Sequence, residues 1–134
     1  MHSKDSDCVF GAYAGKAWAS SGDWQKDAAA NTSSLFALKD TMGFAPCTMT
    51  RKTGDTYPMF CDSSSGPWFG STSVFGGVGS LVLGNPMNND TGSYPCTHVD
   101  GVSYNLPSGA PKPYYMAGTT SKFVAAELEV FGLQ

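Results

Sequence analysis

The chain is cut into short stretches of β-forming residues, and each is closed by residues that cannot extend a hydrogen-bonded ladder. The runs are "CVFGAYAG" at 8–15, "SSLFALK" at 33–39, "APCTMTR" at 45–51, "TYPMFCD" at 56–62, "VGSLVLG" at 78–84, "YYMAG" at 114–118 and the closing "KFVAAELEVFGL" at 122–133. Between them lie glycine, proline, asparagine and serine clusters such as "SSSGPWFG" and "GNPMNND". Such clusters supply positive φ angles and remove backbone donors, so they mark turns. This pattern predicts a mainly all-β chain folded as an antiparallel two-sheet β-sandwich, with at most one or two short helices. The helix expected is "WQKDAAA" at 24–30, with Asp23 as its cap and Ala28 to Ala30 favouring a turn or two.

A length of 134 residues suits one domain burying about two-thirds of its unfolded surface, with residues 1–7 expected as a flexible start. Hydrophobic residues make up 41% and charged residues 14%, a composition that forms a core and does not resemble a disordered segment. The net charge of -3 is spread out, and Arg51 and Lys52 are the only basic cluster. A phosphate backbone finds no footprint there, which excludes nucleic acid as an expected partner. No apolar run approaches the roughly 20 residues of a membrane span, and "MHSKDSDCVF" lacks the apolar centre of a signal peptide. The expected protein is therefore soluble and cytoplasmic.

Cys8, Cys47, Cys61 and Cys96 would pair in one of three ways in an oxidising compartment, but with no signal peptide free thiols are expected. The sequons at Asn31 and Asn89 matter only on a secreted chain. No C-x-x-C spacing occurs, and His2 and His98 are the only histidines, so neither a metal nor a cofactor site is expected. Gly76, Gly77 and Gly79 precede a predicted strand, whereas a phosphate-binding loop precedes a helix, so these glycines read as a bend in the chain.

Three sets of side chains are candidates for chemistry or binding. Glu127 and Glu129 alternate along the closing run, roughly 7 Å apart if it is a strand, a separation within the range of glycosidase carboxylates. On the same alternation Val124, Ala126, Leu128 and Val130 form an apolar inner face, and the acids then serve to keep the outer face soluble and discourage edge pairing. That second reading is the stronger. Cys96, His98 and Asp100 fall on one side of an extended segment as a thiolate, an imidazole and an orienting acid, although Pro95 and Gly101 interrupt a regular strand there. Trp68, with Trp18 and Trp24, would stack against a pyranose if exposed, but large aromatics in a small β domain more often fill the core.

The order of motifs resembles the TLDc domain family. "VFGAYAGKAW" at 9–18 is similar to the family's "VFGGY" strand and its following tryptophan, and "SSLFALK" to its next strand. "YPMFCDSSSGPWFG" at 57–70 resembles the segment ending in Gly-Pro and Phe-Gly, as found in single-celled eukaryotes. "YPCTHV" falls at the family's cysteine motif, and "YYMAGTTSKFVAAELEVFGL" resembles the family's close, with Phe131 in the place of a tryptophan. The resemblance runs from about residue 8 to the end. It implies a β-sandwich, no catalytic residues, and a non-enzymatic protein-interaction function linked to oxidative-stress resistance or to the V-ATPase. Complete family domains begin with further N-terminal segments, so this chain reads as a shortened version or a C-terminal portion. An open sheet edge left there would favour oligomers. Glu127, Glu129, Cys96, His98 and Trp68 are the candidate interaction residues, and a carbohydrate-binding sandwich is the alternative.

Overall fold

A computed structural model describes residues 1–3, 6–19, 22–25, 32–54, 59–62, 66–70, 81–82, 96–97, 99, 101–118, 125–127 and 129–132. Among these residues the strands form two five-stranded antiparallel sheets. The first contains β1 (His2–Ser3), β2 (Val9–Tyr13), β4 (Ser34–Lys39), β5 (Cys47–Thr50) and β10 (Ala125–Glu127), in the order β10-β1-β2-β4-β5. The second runs β3-β6-β7-β8-β9, from β3 (Asp23–Gln25), β6 (Met59–Asp62), β7 (Gly66–Phe69), β8 (Leu81–Val82) and β9 (Cys96–Thr97).

Alternation explains the first sheet. Opposed residues share a face, so Phe10, Ala37 and Cys47 make one inner row and Ala12, Leu35 and Met49 the next. Phe10, Leu35 and Met49 are buried, while Leu38 and Tyr13, at the other parity, are exposed. In the second sheet Met59, Phe69, Leu81 and Thr97 are opposed in turn, and all are buried. The two inner faces meet in one core, completed by Val99, Tyr104, Tyr114, Met116 and Ala117 from the connections. Each large apolar side chain buried there contributes about 1.5–3 kcal/mol.

Several local expectations are corrected. Asp23 does not cap a helix: Asp23, Trp24 and Gln25 pair with Cys61, Phe60 and Met59 as a strand, because the partner strand supplies ladder bonds that a short helix cannot match. Residues 26–30 of the expected helix lie outside the described residues. The 114–118 run is not a strand either. Tyr114 makes a single bridge to Val99 and the chain then turns, with Gly118 at φ +120°. At the start of the chain His2–Ser3 lies between β2 and β10. Phe10 donates its N–H to the Met1 carbonyl, and Ser3 donates to that of Cys8.

Strand β7 passes unnoticed in the sequence because it contains Pro67. Pro67 opposes Cys61 on β6, and on its other side β8 pairs only with Trp68 and Phe69 among the described residues. The Cys61 carbonyl accepts the Gly22 N–H, on the side away from Pro67, so the missing N–H costs no described ladder bond.

Gly11 faces Phe36 across the β2–β4 pair, and a Cβ at position 11 would sit 2.6 Å from Phe36 Cζ. The ring occupies the space that a side chain at position 11 would need. Gly11→Val is expected to lower the unfolding free energy by about 1–3 kcal/mol through overpacking. In a Phe36→Ala background the same change should cost clearly less, as measured by urea denaturation of the four variants of the cycle.

Candidate functional site

The two glutamates sit at the rim of the first sheet. Glu127 ends β10, opposite His2, and Glu129 follows just outside the strand; both are exposed. An exposed carboxylate lacks the enclosure that excludes water from a reacting centre. Both act electrostatically on the Met1 ammonium, which donates a hydrogen bond to the Phe10 carbonyl at 2.9 Å. Burial pulls the pKa of that ammonium down, and Glu129 and then Glu127 partly offset the effect.

The expected apolar face of the closing run is not formed where the run is described. Ala125 packs against the core and Ala126 is exposed, whereas Val130 is 84% and Phe131 81% exposed. Two features cause this. The register with β1 slips between His2 and Ser3, setting an extra residue, Ala126, against one step of β1. The strand then stops at Glu127, so a period of two no longer governs the residues beyond it. Val124 and Leu128 lie outside the described residues.

Cys96 occupies β9 opposite Val82, while His98 and Asp100 lie outside the described residues. Thr97 and Val99 point into the core, and the Thr97 hydroxyl accepts the Ala117 N–H at 3.2 Å. Cys8, Cys47 and Cys61 are free thiols. Burial pushes the Cys47 thiol up, the Ala37 backbone opposes that, and the Asp40 charge adds to it. Among the described residues no group of three or more His, Cys, Asp or Glu side chains gathers as a metal site.

The tryptophans separate by face. Trp18 is half-buried against the core, its ring 6.2 Å from that of Phe69. Trp68 lies on the outer face, half-buried, 5.1 Å from the Phe60 ring at a 44° tilt. Register places Trp24, Phe60, Trp68, Val82 and Cys96 in a single row across the second sheet. No single segment of sequence announces this row, because its members come from separate strands.

A second polar centre also escapes sequence reading. Tyr114 is fully buried and donates its hydroxyl to Asp40 Oδ2 at 2.7 Å. Asp40 Oδ1 accepts the Met42 and Phe44 N–H groups, and the Phe44 ring meets Tyr114 edge to face. One carboxylate thus shapes the turn after β4 and anchors a core phenol. Its sequence signal is only an Asp at a turn, which is common. Burial chiefly, then the hydrogen bond and charge of Asp40, then Cys47 and Cys8, raise the Tyr114 pKa far above the ordinary phenol value.

The TLDc domain model matches residues 1–134. The chain belongs to the TLDc domain family. Comparison with curated proteins and with solved structures gave no match. Within this TLDc domain the motifs that carry the family likeness fall largely on framework: Phe10 and Gly11 in β2, Leu35 in β4 and Phe69 in β7 are all buried. No helix among the described residues is long and apolar enough to cross a membrane.

Tyr114→Phe is expected to cost about 1.5–3 kcal/mol, the range for a hydrogen bond to a charged group. The native state holds the Tyr114 proton more tightly than the unfolded chain, so its contribution is complete below the unfolded phenol pKa of about 10. It declines as pH rises further, by about 1.4 kcal/mol per pH unit. Chemical denaturation between neutral and strongly alkaline pH should show this decline in the wild type and a reduced one in Tyr114→Phe.

Proposed function

We propose that the chain is a non-enzymatic protein-interaction module that works inside the cell, either by binding the V-ATPase or by contributing to oxidative-stress resistance. The observation that carries this reading is the TLDc match along residues 1–134. Fold alone does not assign a function, and a function drawn from a family rests on analogy. The arrangement of the rim favours association over chemistry: exposed acids and adjacent exposed apolar side chains make a surface, not an enclosed centre.

Affinity purification of the tagged protein from its own cells, followed by mass spectrometry, should recover V-ATPase subunits in stoichiometric amounts, or deletion should raise peroxide sensitivity. Failure of both measurements removes the proposal.

A second reading is glycan stacking, favoured by the placement of Phe60 and Trp68 on the outer face of the second sheet. Flat rings cover the apolar faces of pyranoses. If this holds, a glycan array gives binding that Trp68→Ala abolishes; a silent array ends the idea.

A further inference from the structure

We propose that the rim beyond β10, formed by Glu127, Glu129, Val130 and Phe131, docks a cationic segment of a partner protein in which an apolar residue is flanked by lysine or arginine. This rests on the reading of the chain as an interaction module and adds the surface and the chemistry of the partner. Among the described residues Val130 and Phe131 are the most exposed of the large hydrophobic side chains, and they are consecutive. Covering two such side chains takes apolar surface out of water, which anchors a contact. Glu127 ends β10 and Glu129 lies two positions further on, both exposed beside Val130 and Phe131.

Charge selects the occupant. A second copy of the chain meeting this surface would bring the Glu127 and Glu129 carboxylates of each copy together, and opposed like charges are destabilising. An anionic lipid surface or a nucleic acid backbone meets the same repulsion. A segment with an apolar residue between basic ones satisfies both halves of the patch. Docking proceeds through side chains and not by adding a strand. The bulge at Ala126 breaks the regular spacing of β10 that strand addition requires. Lys4 and Lys122 lie outside the described residues, so charge-reversal variants decide the matter.

The test is an array of synthetic peptides of equal length in which lysine and arginine content and apolar content vary independently. It is probed with the wild-type chain, with Glu127→Lys/Glu129→Lys and with Val130→Ser/Phe131→Ser. All four side chains are exposed, and circular dichroism checks that each variant keeps the fold. The wild type should retain peptides that are both basic and apolar, less so at high salt. Charge reversal should weaken that retention by about tenfold and shift preference to acidic peptides; the serine variant should lose retention of both.

Equal retention of basic and acidic peptides by the wild type overturns the proposal. So does unchanged retention by either variant, a dimer in sedimentation that the serine variant abolishes, or co-sedimentation with phosphatidylserine vesicles. If the charge-reversed chain still captures pump subunits from cells, the interaction reading stands and this surface falls. If the array discriminates but no pump subunit is captured and peroxide sensitivity is unchanged, the surface stands and the reading under the previous heading falls.

Discussion

Strand β4 is the element on which the rest depends, because it is hydrogen-bonded along both sides. Ser34, Leu35, Phe36 and Ala37 pair with β2 on one side and with β5 on the other, and Leu35 and Ala37 project from the strand into the core that both sheets share. Immediately after it, Asp40 ties the following turn to Tyr114. Backbone ladder, apolar burial and a charge-assisted hydrogen bond thus converge within seven residues, 34–40. Failure of the β4 pairing would remove the surface on which the opposite sheet packs.

The strands most legible in the sequence were those whose own residues carry the instruction. For β2, β4 and β5 the neighbouring turns are strong and the pairing partners are close along the chain. The two-sheet antiparallel class followed from these and from the spacing of turns. Strands β3, β7 and β9 were obscured because their strand character comes from partners: Asp23 looks like a cap until Cys61 stands opposite it, and Pro67 looks like a breaker until its neighbours are placed. The closing run is the opposite case. Its alternation is faultless on paper, yet the register slip at Ala126 and the end of the strand at Glu127 cancel the phase that alternation implies.

The same division applies to the candidate site residues. Glu127, Glu129 and Trp68 stand out as residue types, and the structure gives each a face and neighbours. The aromatic row through Phe60 and the Asp40–Tyr114 contact join positions far apart in sequence: Tyr114 is 74 residues from Asp40. Long-range polar pairs of this kind leave almost no local trace, since either member alone is an ordinary turn or core residue. What the family likeness marks most clearly is framework, and interaction surfaces are free to differ around it.

The position of β1 bears on how the chain acquires its structure over time. Residues 2 and 3 are held between β2, a few residues away, and β10, whose paired residues are 125 and 127. During synthesis β2, β4 and β5 all leave the ribosome well before β10 exists, so the first sheet stays one strand short until nearly the whole described chain is available. Closing so long a loop is entropically slow. Until then the β1 edge stands open to other chains, and cellular yield should depend on how well chaperones cover that interval.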